Sequence, residues 1–158
     1  VRIEARPYDH PHSQLLIDEV QQEYVVRYGS PDEGPVDPTE FLPPKGRFFV
    51  GYVDGRPLVT GAWRDHGDGT AEIKRMYVSP DGRGKGLARR MLAEIERTAA
   101  DAGITRLILE TGLMQPEAVA LYKSSGYTPV PAFGYYAGHE LSVHLGKEIA
   151  CPSTPSAT

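Results

Sequence analysis

Polar and apolar positions change period several times along the chain, and each change marks an element. Residues 2 to 6 alternate as a short strand, after which Leu16, Val20, Tyr24 and Tyr28 recur at four-residue steps and predict one helix ending near Gly29. From Ser30 to Gly46 the periodicity is lost. Pro31, Pro35, Pro38, Pro43 and Pro44 remove backbone donors and disfavour helix before each proline, so a long loop is expected, with at most a turn at Thr39 to Leu42. Two β-rich runs, RFFVGYV and RPLVTGAWRDH, flank Asp54-Gly55, a pair suited to the positive φ angles of a tight hairpin. A second turn at Gly67 to Gly69 leads into AEIKRMYV, giving three consecutive antiparallel strands. Leu87, Met91, Ile95, Ala99 and Ala102 then share a helical face that Gly103 ends. RLILET reads as a buried strand, Pro116 opens a helix closed by Gly126, and late strands fall at 128 to 130 and 140 to 145.

The order strand, helix, three strands, helix, strand, helix, two strands predicts an α/β sandwich with a mixed sheet. At 158 residues the chain matches one domain, expected over 1 to 148, with 149 to 158 as a disordered tail. The charge balance of −4 argues against the broad positive field of a nucleic-acid binder, and no apolar run reaches the roughly 18 residues of a membrane helix. One cysteine, Cys151, excludes an internal disulfide and a thiolate metal cluster, which fits a cytoplasmic protein. The five histidines show no metal-binding spacing, so no metal is expected.

The most informative stretch is YVSPDGRGKGLARRML, where a strand ends and glycines open an amphipathic helix. Gly82, Gly84 and Gly86 let successive N–H groups converge beside a helix N-terminus, a nest suited to phosphate, and Arg83, Lys85 and Arg89 add positive charge. Neither nucleotide motif fits. Lys85 is followed by Gly86 rather than the Ser or Thr of a P-loop, and the dinucleotide spacing finds Leu87 or Arg89 where its third glycine belongs.

With Arg83, Gly86 and Ala88 in the defined places, this run resembles the acetyl-CoA signature of the GNAT superfamily of N-acetyltransferases, and EAVALYKSSGY resembles a second motif of that family. The resemblance implies a GNAT-like mixed, mostly antiparallel sheet flanked by helices, with splayed central strands. It implies acetyl-CoA as acyl donor, held by backbone groups of Met76, Tyr77 and Val78 and by Arg83, Gly84, Lys85, Gly86, Leu87, Ala88 and Arg89. Gln115 stands where the family often has Asn. Tyr122 matches the general acid toward the departing sulfur, and Glu72 resembles the catalytic base of one branch, with Glu110 as its rival.

The acceptor is expected to be a small-molecule or peptide amine bound by the first helix, the proline-rich loop and PAFGYYAGHE. The candidates are Tyr28, Phe41, Arg47, Tyr135 and Tyr136, with Phe133, His139 and Arg27 nearby, while Tyr24 reads as core stripe. The negative charge mildly favours a cationic amine. The resemblance leaves monomer and homodimer open, and a non-catalytic acyl-CoA sensor competes with the enzyme reading.

Overall fold

The computed structural model describes residues 1–34 and 36–149. The chain runs β1 (Arg2–Ala5), α1 (Pro11–Tyr28), a 3-10 turn (Pro38–Phe41), β2 (Gly46–Val53), β3 (Arg56–Gly67), β4 (Thr70–Val78), a 3-10 turn (Pro80–Gly82), α2 (Leu87–Asp101), β5 (Arg106–Gly112), α3 (Pro116–Ser124), β6 (Thr128–Pro129) and β7 (Ser142–Glu148). The expected element order is found. The last strand starts two residues later than its pattern suggested, because 134 to 141 turn back on themselves through Gly134 and His139. Ile149, expected in the tail, donates its N–H to the Thr105 carbonyl and packs on the core. The rest of the expected tail, 150 to 158, lies outside the described residues.

One seven-stranded sheet has the order β1-β2-β3-β4-β5-β7-β6. All neighbours are antiparallel except β4 and β5, which run parallel and pair over only Thr70–Arg106, Ala71–Leu107 and Glu72–Ile108. Beyond that point they diverge, and the facing edges of 73 to 78 and 109 to 112 stay unpaired.

Alternation along the strands divides the core in two. Phe48, Val50, Tyr52 and Tyr77 meet Leu16, Ile17 and Val20 of α1 on one face. Phe49, Trp63, Ile73, Leu107 and Leu109 meet Leu87, Met91, Ile95 and Ala99 of α2 and Tyr122 of α3 on the other. Ala102, expected on the buried face of α2, is exposed, since the helix ends at Asp101 and the chain turns there.

Candidate active site

Where β4 and β5 separate, a cavity of about 200 Å³ opens through the sheet and connects the two helical layers. Its wall includes Tyr24 and Tyr28 of α1, Ile73 to Met76 of β4, Leu109 to Gly112 of β5, and Ala118 and Tyr122 of α3. A bulge shapes the β4 side. Opposite Gly61 the register slips between Thr60–Tyr77 and Ala62–Lys74, and Arg75 takes a φ of 57°. A left-handed arginine is strained by about 1–3 kcal/mol, and such strain persists only where its surroundings hold it. The Thr60 hydroxyl donates to the Arg75 carbonyl at 2.7 Å. With Ile73 and Met76 packed toward α2, the extra residue turns Lys74 and Arg75 both to the α1 face.

There they meet Asp32 from the proline-rich loop. Arg75 Nη1 donates to Asp32 Oδ2 at 3.0 Å, while the Tyr136 hydroxyl and the Gly34 N–H each reach Oδ1 at 2.8 Å. Burial alone would raise the Asp32 pKa, but Lys74, the Gly34 N–H, Arg75 and Tyr136 together hold it below its usual value. Tyr136, shielded from water and bound to that carboxylate, is pushed up to about 12. Its hydroxyl also accepts from the Glu33 N–H at 2.8 Å, so it ties 134–139 to the loop.

Glu110 follows Leu109 on β5 and by alternation faces α1, as Lys74 does. Burial is the main cause that raises its carboxyl above the usual range, aided by Asp32 and Glu72, while Lys74 and a hydrogen bond from Ser142 oppose it. Glu72 behaves differently. It belongs to the last pair before the strands part and does not line the cavity. Arg64 reaches its Oε1 at 3.1 Å and His66 at 2.8 Å. Burial works against its ionisation, but His66, Lys74 and Arg64 outweigh that and lower its pKa.

Tyr122 lines the cavity from the α2/α3 side, 5% exposed, its ring edge-on to Tyr127 at 5.7 Å. Burial, then Tyr24, raise its pKa and keep the phenol protonated. Its hydroxyl has no hydrogen-bond partner among the described residues. Gln115 occupies the N-cap position of α3 in the cavity wall, its side chain free of any capping bond, and accepts from the Tyr28 hydroxyl at 3.3 Å. A Cβ at Gly112 would collide with that same hydroxyl, so the close approach of α1 to the end of β5 requires glycine.

At the glycine-rich turn, Gly84 and Gly86 have φ of 78° and 73° with open space around both, so backbone conformation rather than crowding calls for glycine. Gly86 is the N-cap of α2 and brings no side chain, which leaves the first-turn N–H groups of Leu87, Ala88 and Arg89 uncapped. This turn and the β4 edge over Met76, Tyr77 and Val78, which β5 leaves unpaired although Arg83 Nε donates to the Val78 carbonyl at 3.2 Å, fit a phosphate-bearing chain running from α2 into the cleft. Lys85 is exposed beside the turn. Arg83 is bound to Glu23 of α1 at 3.0 Å, and Arg89 reaches Ser124 and Ser125 of α3.

The expected acceptor residues divide. Tyr28, Tyr136 and His139 line the cavity, and so does Tyr24, although its stripe read as core. Phe41 is 1% exposed, stacked on Tyr8 at 5.5 Å inside the α1-side core, because the turn after Asp37 folds it inward. Arg47 lies over the Trp63 ring, Tyr135 is exposed, and Phe133 packs on His144. None of these four reaches the cavity wall. Arg27 is held by Glu23, Glu117 and the Met114 carbonyl. Pattern reading missed Asp32 and Ser142 as site residues and the placement of Lys74; only the proline-rich loop, as a long unstructured connection, gave a signal.

A parallel pair that splays over a through-sheet cleft, with a glycine nest opening the next helix, is an architecture shared with acetyltransferases. The chain belongs to the acetyltransferase (GNAT) family, whose model matches residues 13–127. It is 34% identical over 135 residues to an IAA acetyltransferase of Azospirillum brasilense, covering 85% of this chain and 88% of that protein. Among solved structures, a putative acyl-CoA N-acyltransferase of Klebsiella pneumoniae superposes with a TM-score of 0.77 at 28% identity, over 94% of this chain and 97% of that one. A GNAT acetyltransferase of Elizabethkingia anophelis with acetyl-CoA bound shares the fold, with a TM-score of 0.67 at 13% identity over 94% and 97% of the two chains.

Proposed function

We propose that the protein transfers the acetyl group of acetyl-CoA to a primary amine by direct attack in a ternary complex. One observation carries this reading: the cavity through the sheet brings a carboxylate of raised proton affinity, Glu110, and a protonated phenol, Tyr122, to the same opening from opposite helical layers. The diphosphate of the donor sits on the turn from Arg83 to Arg89, and its pantetheine arm runs along the free edge of Met76 to Val78. Glu110, rather than Glu72, accepts the proton of the acceptor's ammonium, directly or through a water. The free amine nitrogen then bonds to the thioester carbonyl carbon, and a β4 N–H stabilises the negative charge that builds on oxygen. As the carbon–sulfur bond breaks, Tyr122 donates its proton to the thiolate. Burial holds that proton tightly, and it also raises the proton affinity of the desolvated thiolate. On becoming the amide, the nitrogen of the new C–N bond sheds its remaining extra proton, which through solvent replaces the one Tyr122 gave to sulfur. Glu110 returns its proton to solvent; the products are an amide, CoA thiol and one proton.

The single cysteine suits a cytoplasmic setting, and the protein acts as monomer or homodimer. CoA thiol release, followed with acetyl-CoA across amino acids, polyamines, aminoglycosides and lysine peptides, tests the reading. Release that requires one acceptor class is expected. No release above background, while acetyl-CoA still raises the melting temperature, would overturn it in favour of a sensor.

A further inference from the structure

Two cations line this cavity: Arg75 is bonded through its terminal nitrogens and leaves only its buried Nε without a partner, whereas Lys74 has all its donors unspent. Its side chain is only 14% exposed, and the ammonium, with three donors, makes no hydrogen bond to any described residue. Its nearest carboxylate oxygen, Asp32 Oδ2, is 3.7 Å away. Arg75 already occupies Oδ2, and Tyr136 and Gly34 occupy Oδ1. The bulge at Arg75 thus presents two cations to one carboxylate, and the second is left over. On the same face of the sheet stands Glu110, coupled to Lys74 and with its carboxyl raised.

Building on the transferase reading, we infer that the acceptor is an amino acid, its carboxylate bound by Lys74 and its amine by Glu110. Side by side, an anion acceptor and a cation acceptor complement a zwitterion and leave the net charge of the cavity unchanged on binding. A polyamine would bring its charge against Lys74 with nothing to satisfy the ammonium. A phosphorylated amine would set a near-dianion against Asp32 and Glu110. The mild preference for a cationic amine drawn from net charge is therefore reversed by the local arrangement, since a whole-chain charge of −4 says nothing of which charges face the cleft. Tyr24, Tyr28 and Leu141 line the same cavity and would receive the acceptor's side chain.

The experiment compares, on the full chain with saturating acetyl-CoA, each of three free amino acids (phenylalanine, methionine and leucine) with its carboxamide and its decarboxylated amine, reading kcat/KM from CoA release. For at least one set the acid is expected to exceed both neutral-ended partners by about tenfold or more, the value of one charge-assisted contact. Lys74→Met should bring acid and amide rates together through KM for the acid, and Lys74→Arg, which keeps the charge, should retain the preference. Amides or simple amines used as well as the acids would overturn the inference and leave acetyl transfer standing. No release from any of the nine would likewise overturn the inference, and the wider panel of polyamines, aminoglycosides and lysine peptides then decides separately whether acetyl transfer stands. Should Lys74→Met fail to fold, the substrate comparison on the unaltered protein decides alone.

Discussion

Replacing Tyr122 by Phe separates catalysis from stability with unusual clarity. A buried tyrosine hydroxyl typically contributes about 0.5–1.5 kcal/mol through its hydrogen bond, and more when the partner is charged. Tyr122 forms no such bond to any described residue, while its ring keeps its place against Tyr127 and the α2-side core. Removing the oxygen therefore forfeits no contact, and the melting temperature should hold or rise slightly. Turnover should fall by about 10²–10⁴-fold, the usual worth of a positioned general acid. The neighbouring Tyr127→Phe is the control. Its hydroxyl donates to Glu96 Oε2 at 2.8 Å, and that carboxylate also holds Lys147. A hydrogen bond to a charged group is worth about 1.5–3 kcal/mol, or about 3–12 °C of melting temperature for a chain this size. Turnover below the transition should be unaffected. Thermal melts and initial-rate assays of both variants, with and without acetyl-CoA, make the comparison. Unchanged turnover in Tyr122→Phe would strike Tyr122 from the mechanism, and a marked loss of stability would show that the phenol has a structural partner.

Glu110→Gln should abolish turnover and with it the rise of kcat/KM as pH increases through the carboxyl's raised pKa. Because the folded pKa lies above the unfolded one, Glu110 contributes stability only at low pH and loses it as pH rises through the folded value, so this variant should melt higher than the parent at neutral pH. Glu72→Gln should do the reverse: activity below the transition is retained, while removing the acid from the Arg64 and His66 pairs lowers stability by about 3 kcal/mol. The Glu72 contribution is present above the unfolded pKa and lost as pH falls through the lowered folded value, so urea titrations at several pH values should show a flatter profile for the variant. Gly86→Ala, with no neighbour to clash, should cost about 1–2 kcal/mol from its φ of 73° alone and raise the KM for acetyl-CoA, measurable by melts and initial rates; an unchanged KM would detach the turn from donor binding.

The pattern along the chain conveyed the order of elements and the glycine turn because both depend on neighbours within a few residues. Gly86 reports its own backbone need, and Leu87, Met91, Ile95 and Ala99 report one face. The cavity wall escaped such reading for a different reason. A sheet with helices on both faces needs apolar residues on both, so Tyr24 and Phe41 look equally like core or lining until tertiary packing sends Phe41 inward against Tyr8 and lets Tyr24 meet the cleft. The bulge at Arg75 has no local signal, since the usual mark of a left-handed residue is glycine or asparagine, and without it the common orientation of Lys74 and Arg75 could not be seen. Glu72 and Glu110 are both single carboxylates on strands; only the place where β4 and β5 part assigns one to an ion-pair cluster and the other to the opening.

Between β4 and β5 the sheet is joined by three residue pairs, extended at one end by the bonds that the Thr105 and Arg106 N–H groups donate to the Gly69 carbonyl. The amide protons of the central antiparallel ladders are thereby divided into two groups, and their exchange with deuterated solvent should resolve into two cooperative units rather than one. Any widening of the cleft would flex the sheet about 70 to 72 and leave the ladders on either side whole.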